Sequence, residues 1–451
     1  MTFSSQSRQK LRRLGMTGLL VAGGIYALAS LPLCPQGKQT PPRVLLFQKG
    51  TSPLEAGAAK AEIVVPHWPV TVAGYAPMRA EAKGQTLPLY ARAIALKAGD
   101  FSLSLLSLDV LLVSKPFVEE LRQHVGEVLL VPVHSHSSIG GFEGRWLVQV
   151  AAMGRFNEAQ HKAVLQACIE AVEAARRNMQ PASFAWEEAP LEEGWTRARS
   201  GNRVDSRLLR LRWEGKEGPL AQVLALSAHP TLARAEAGQL NPDYPGELAL
   251  LEEEAGRGIT LIWPSAVGNA RVALPQATPR SFAEALHGFL NGWPPPPRGE
   301  EVPAPPGEVH HLRMAFALPA MDASRLVPRL LRGPADNLLC RGIPAEATFS
   351  VLRLGSLQWV ALPFEVSAEA AQALEEGGLG RVLSIADDYL GYLEVPGHVE
   401  AGEGESKLQY FDKALLQRIM EAAQAATTHL NASKASSSAL PLANTMAVQK
   451  E

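Results

Sequence analysis

The stretch Leu129–Gly141, LLVPVHSHSSIGG, places His134 and His136 one residue apart, where an apolar run gives way to serines and glycines. Leu129–Val133 reads as a buried strand, being short, apolar and bounded by turn residues. Along an extended backbone residues i and i+2 share a side, so the two imidazoles can serve one site. A second apolar run, VLALSAH, ends at His229, and a third, LQWVALPFE, ends at Glu365. Strand C-termini are where open α/β sheets place their sites. Two imidazoles and a carboxylate are a common catalytic zinc set that leaves one position open for water. The same residues have plainer readings: loop histidines bonded to backbone, a capped core histidine, a glutamate opening a helix. The candidates lie far apart and no HExxH motif occurs, so spacing alone does not decide.

The elements that must position these groups follow from the rest of the chain. Its 451 residues exceed one ordinary core, which leads to two lobes or one large α/β unit. A net charge of −2 and the lack of any basic stripe with interleaved aromatics argue against nucleic acid as a partner. Cys34, Cys168 and Cys340 form no CxxC pair and no even framework, so neither a disulfide nor a cysteine-held zinc is expected.

At the N-terminus, Arg8, Lys10, Arg12 and Arg13 precede the apolar run Leu14–Leu33, the layout of an export signal or an N-terminal anchor (residues 1–34). The expected location is outside the cytoplasm, periplasmic or extracellular, or membrane-anchored through residues 14–33 with a membrane surface as partner. Ala27–Ala29 offers a cleavage site, and the run is almost long enough to span a bilayer uncut. Residues 35–53 read as a tether, 292–307 as a Pro-rich connector in extended conformation, and 431–451 as a disordered tail.

Between these breaks strands and helices alternate. Strands are expected at Phe101–Val113, Glu127–Val133, Leu208–Trp213, Leu220–Leu226, Ile259–Trp263, Ala347–Leu354 and Leu357–Leu362. Asn157–Arg177 reads as a helix with Asn157 as its N-cap, and shorter helices fall at 280–290, 323–332, 366–376 and 411–425. The order predicts a layered α/β protein: mixed β-sheets flanked by helices, one catalytic unit over 54–430 with lobes 54–291 and 308–430.

Several segments, in order from about Gly57 to Arg418, resemble the catalytic N-terminal domain of the neutral/alkaline non-lysosomal ceramidase family. AGAAKAEIVVPHWPVTVAGYAP resembles its opening strand and glycine turn, and LPLYARAIAL with LLSLDVLLV the next two strands. HSHSSIGG stands where the family has His-Thr-His-Ser-Gly-Pro-Gly, and GNRVDSRLLRLRW is similar to its Asn-Arg…Asp segment. SAHPT with NPDYPGE, then ALPFE and IADDYLGYLEVP, resemble the later motifs. The resemblance implies zinc held by His134, His229, Glu365 and Tyr392, with His136 handling protons and Asp243 as a supporting acceptor behind a ligand. It implies hydrolysis of the N-acyl amide of ceramide, or of a related N-acyl lipid, by metal-activated water.

Two departures qualify that transfer. The family's Gly-Asp-x-Ser-Pro segment, which supplies a serine needed for activity, corresponds here to SAVGNARV. Arg271 takes the serine's place and Asn269 the aspartate's. Arg271 reads either as a surface residue or as a bidentate contact for an anionic substrate group. Many family members also continue into a C-terminal β-sandwich that has no counterpart in these residues. The chemistry therefore reads as a ceramidase-type hydrolase, a zinc hydrolase selecting an acidic head group through Arg271, or an inactive homologue that keeps the pocket for metal or lipid.

Overall fold

A computed structural model describes residues 34–438 except Ser52, 75–79, Asn202, 234–237 and 294–307, together with a few residues between Gly24 and Leu31. Most of the expected signal or anchor, nearly all of the Pro-rich connector and residues 439–451 lie outside the described residues. Among the described residues no helix is long and apolar enough to cross a membrane.

Three mixed sheets carry the fold. The first orders Val128–Pro132, Phe101–Leu108, Tyr90–Ala98, Glu55–Glu62 and Gln180–Pro181, with Phe101–Leu108 and Val128–Pro132 parallel. The second orders Ile259–Pro264, Gly218–Leu226, Arg207–Gly215 and Ser183–Pro190, with the first two parallel. The third orders Arg43–Gly50, Val309–Ala317, Glu346–Leu354, Leu357–Ala361 and Arg381–Leu383, and its last pair is parallel.

Each sheet turns one face toward a shared apolar centre. Leu129 and Val131 from the first meet Leu211, Trp213 and Trp263 from the second and Leu352 and Trp359 from the third. Trp263 and Trp359 pack edge to face there, ring centroids 5.4 Å apart. The outer face of each sheet is covered by helices: Lys115–Val125 and Glu158–Arg177 on the first, Asp243–Glu254 and Pro279–Gly292 on the second, and Ala368–Glu376 and Leu415–Ser438 on the third. Apolar residues on both faces explain why so many strands read as continuous hydrophobic runs rather than as alternation. The layered α/β class is as expected, and the expected lobes share this centre.

Local chemistry sets the element ends. Asn157 caps its helix by accepting from Ala159 and Gln160 N–H, and Thr278 with Ser281 forms a capping box on Pro279–Gly292. Where the structure departs from the sequence reading, the causes are identifiable. Arg43–Gly50, read as tether, is an edge strand paired with Val309–Ala317. The strand from Phe101 stops at Leu108, because the Asp109 carboxylate takes the Tyr90 N–H and the Arg92 guanidinium. The helix expected at 323–332 is two short 3₁₀ turns around Pro328, with the α-helix following at Arg332–Gly342. The last helix runs to Ser438, past the expected start of the tail.

The cysteine expectation is overturned. Cys34 and Cys340 are joined by a disulfide, Cα–Cα 5.5 Å, across a separation of 306 residues, which no local spacing could reveal. The bond ties the segment before the first strand to the helix Arg332–Gly342 and constrains the unfolded chain.

The shared centre generates a stability prediction. Trp359 is 1% exposed. Trp359→Ala leaves a cavity where three sheets meet and should lower unfolding stability by about 3–5 kcal/mol. Trp359→Phe keeps an aromatic contact with Trp263 and should cost clearly less. Denaturant unfolding of both variants checks the difference.

Candidate metal centre

Each of the three sheets delivers one group to a common point. His134 follows Val128–Pro132, His229 follows Gly218–Leu226, and Glu365 follows Leu357–Ala361. Each of these strands has a parallel neighbour, so the groups leave at C-terminal strand ends. The strand ends are laced together by main chain. Ser384 N–H donates to Pro264 C=O, Gly268 N–H to Val366 C=O, and Asp387 N–H to Leu130 C=O. Gly268 is required by this lacing, since a Cβ there would stand 2.8 Å from the Glu365 carbonyl oxygen. Tyr392 arrives because Tyr392–Leu393 pairs in parallel with Glu365–Val366.

The two ligand-type histidines are held in one tautomer. His134 Nδ1 lies 2.8 Å from Leu111 C=O, and His229 Nδ1 lies 2.9 Å from Val267 C=O. A carbonyl only accepts, so each Nδ1 carries the proton and each Nε2 presents a lone pair. Both Nε2 atoms aim at Glu365 Oε2, from 3.4 Å for His134 and 3.1 Å for His229. His229 Nε2 and Glu365 Oε2 are buried and neither makes a hydrogen bond. Acceptors facing acceptors without water are unfavourable unless a cation stands between them. This donor set therefore fits a divalent metal of the zinc type, with the backbone carbonyls as the outer support such histidines usually have.

His136 joins from the same loop as His134. Its Nε2 is 3.4 Å from His134 Nε2, and the nitrogens of His134, His136 and His229 all lie within 4.8 Å of one another. The ring packs against Gly74, whose φ of +94° and lack of a side chain leave room for it. His134 itself has φ 71°, a strained region for a residue with a side chain, and that turn aims its ring at the site.

Burial, reinforced by His134 and His229, holds the His136 imidazole well below its ordinary value, and burial also lowers His229. Burial by itself would raise Glu365, but the neighbouring imidazoles in their protonated form outweigh it and hold the carboxyl well below its usual range. Burial and Glu365 push the Tyr389 and Tyr392 phenols well above their ordinary value.

Not every expected residue has the expected surroundings. Asp243 accepts from Ala233 and Tyr244 N–H and so fixes the loop after His229, while backbone carbonyls, not Asp243, hold that imidazole. Arg271 is exposed, on a short strand whose backbone bridges to His229. Asn269 is buried, donating to Ser200 and Arg203 C=O and to Glu369, and accepting from Ala368 N–H. It is a structural tie between segments.

Two neighbours escaped the sequence reading. Tyr389 donates to Glu365 Oε1 at 2.8 Å, filling the oxygen that faces away from the histidines. Arg199 reaches the Tyr392 hydroxyl at 3.2 Å while also binding Gly268 C=O and Glu405. Tyr389 lies within the quoted IADDYLGYLEVP segment, but nothing in TRARSGNR separates Arg199 from a surface arginine.

Comparison with known proteins agrees with this architecture. The family described as neutral/alkaline non-lysosomal ceramidase, N-terminal, matches residues 54–214, a span that includes His134 and His136 and ends before His229. No curated protein matches the sequence. Among solved structures, the neutral ceramidase from Pseudomonas aeruginosa superposes with a TM-score of 0.66 at 16% identity, covering 89% of this chain and 77% of that one. A structure described as ceramidase complexed with C2 gives 0.66 at 15% identity, covering 84% and 76%. At these identities the likeness concerns the fold. The resemblance to the neutral/alkaline ceramidase family holds in the matched segment, and the ceramidase fold extends over most of the chain.

The loop carrying the histidines is anchored by a second buried carboxylate, and its ionisation can be tested. Glu143 accepts from Ser114 N–H and hydroxyl at the start of the helix Lys115–Val125, and burial pushes it up from 4.5 to about 7. Because the folded value lies above the unfolded one, its stabilisation is complete below about pH 4.5 and is lost as pH rises to about 7. Relative to wild type, Glu143→Gln should gain up to about 3 kcal/mol across that window and nothing further above it. Unfolding of both proteins as a function of pH measures the difference.

Proposed function

We propose that this protein is an exported, zinc-dependent amide hydrolase of the ceramidase type, acting on ceramide or a related N-acyl lipid. The observation that carries the reading is the convergence of two tautomer-fixed Nε2 lone pairs on the buried, unbonded carboxylate oxygen of Glu365. His134, His229 and Glu365 would hold the metal, with Tyr392 as the fourth ligand. When bound, zinc supplies a Lewis acid that polarises an acyl oxygen and acidifies water.

The remaining work falls to the chain's own groups. His136, neutral and half-buried beside the ligands, accepts a proton from the attacking water and returns it to the departing amine. Arg199 places a guanidinium on the Tyr392 oxygen and favours its anionic form, which a phenol with an ordinary pKa near 10 does not adopt unaided. Tyr389 holds Glu365 in its rotamer through Oε1. Export is supported by the basic and apolar N-terminal residues and by the long-range disulfide, since such bonds persist in oxidising compartments.

Metal analysis combined with hydrolysis of a fluorescent short-chain ceramide tests this reading. Wild type should carry one zinc per chain and release fatty acid. His134→Ala with His229→Ala should lose both metal and turnover, whereas His67→Ala, His161→Ala and His287→Ala should keep the metal. Full zinc in the His134→Ala, His229→Ala double variant would falsify the ligand assignment.

The exposed position of Arg271, in register with His229, supports a second reading in which it meets an anionic group of the substrate. On that reading Arg271→Ala lowers turnover roughly a hundred- to a thousandfold without changing zinc content. Arg271→Ser shifts preference toward neutral ceramides. Unchanged rates in Arg271→Ala, measured over a panel of neutral and acidic N-acyl lipids, assign Arg271 to the surface and leave the first reading in place.

A further inference from the structure

The segment Leu326–Leu338 exposes four leucines within thirteen residues. Leu330 is 69% exposed, Leu338 57%, Leu331 49% and Leu326 40%. Leu331 and Leu338 are seven residues apart, at the N-terminal boundary and within the helix Arg332–Gly342, so they share a helix face. Asn337 and Cys340 are buried against the body. Single exposed leucines need no explanation, whereas a contiguous group marks an interaction surface.

Three contacts join this segment to the apolar N-terminal run. Tyr26 hydroxyl donates to Leu330 C=O, Asn337 side-chain N–H donates to Ala29 and Leu31 C=O at 2.6 Å, and Cys34 is bonded to Cys340. The charges beside the leucines are of one excess sign. Asp322 and Asp336 are taken by Arg325 and Arg332. Arg329 and Arg341 are exposed and form no ion pair among the described residues. Leucines flanked by unneutralised arginines match the interfacial zone of an anionic bilayer, where apolar side chains enter the acyl boundary and guanidinium groups meet headgroups.

We infer that Leu326, Leu330, Leu331 and Leu338, with Arg329 and Arg341, form a membrane-docking face. The Cys34–Cys340 bond and the Asn337 contacts hold this face beside the N-terminal segment, so the catalytic body lies against the bilayer rather than swinging on a tether. The inference rests on the proposal that residues 14–33 engage a membrane, and it adds an orientation to that proposal.

The chain suits a labelling test, because Cys168 is buried and the other two cysteines are bonded to each other. Leu330→Cys and Leu338→Cys would each carry an environment-sensitive fluorophore on the full-length protein. Glu217→Cys, in the exposed turn between Arg207–Gly215 and Gly218–Leu226, is the control. Vesicles containing phosphatidylglycerol should blue-shift the labels at 330 and 338, doxyl groups on the lipid should quench them, and the label at 217 should not respond. Vesicles of phosphatidylcholine alone should give a smaller shift.

Co-sedimentation with vesicles while the labels at 330 and 338 remain in water would overturn the docking face and leave the anchor standing. No co-sedimentation at all would overturn both. A label at 330 already shielded from aqueous iodide before lipid is added would show that the chain itself or a second copy covers the face, and would also overturn it. None of these readouts depends on amide hydrolysis.

Discussion

The approach of His229 Nε2 to within 3.1 Å of Glu365 Oε2 is the contact around which the rest of the molecule is arranged. In the apolar interior a carboxylate facing two lone pairs is costly, and side chains free to turn would separate. They do not separate here because each ring is pinned at Nδ1 by a backbone carbonyl and the carboxylate is pinned at Oε1 by Tyr389. The strained φ of 71° at His134 belongs to the same arrangement. Such a geometry persists only where the surroundings over-determine it, and the surroundings in this case are three sheets.

The sheets do so through their ends rather than their middles. Their middles form one apolar centre with Trp213, Trp263 and Trp359, and this fixes how the sheets abut. Their ends are then close enough for main-chain hydrogen bonds from 384–387 to 130 and 264, and from 268 to 366. Asp387 strengthens one crossing further by accepting Leu130 N–H and the Arg122 guanidinium. The groups at the site therefore sit on rigid strand exits cross-tied by backbone, not on independent loops, which is the condition for holding a first coordination shell to a fraction of an ångström.

His134, His229 and Glu365 were legible in the sequence because the strands that deliver them are uninterrupted apolar runs with abrupt polar ends. That signal is local, and it survives without knowledge of which sheets meet. Tyr392 was legible only through resemblance, since its contact with the site depends on a two-residue parallel pairing with Glu365–Val366. Arg199 was illegible because its partners, Gly268, Tyr392 and Glu405, come from segments between 69 and 206 residues away. Cys34–Cys340 and the edge strand Arg43–Gly50 failed for the same reason, as each is defined by a partner 259 residues or more downstream. Periodicity reports what an element buries, not what it is buried against.

This division of labour bears on how metal and fold depend on each other. Where a small domain relies on its metal for folding, the ligands are the core. Here four separate apolar clusters exist apart from the site, and the ligands lie at strand ends beyond them. The net stability of a domain is only about 5–15 kcal/mol, so the buried Glu365 anion and the strained His134 consume an appreciable part of it. A cation bound between the lone pairs and the carboxylate would offset the cost of the buried anion. Its binding free energy would then go into offsetting that cost, not into ordering the ligands. The strand exits that carry His134, His229 and Glu365 are fixed by the fold itself, as a site held to close tolerance requires.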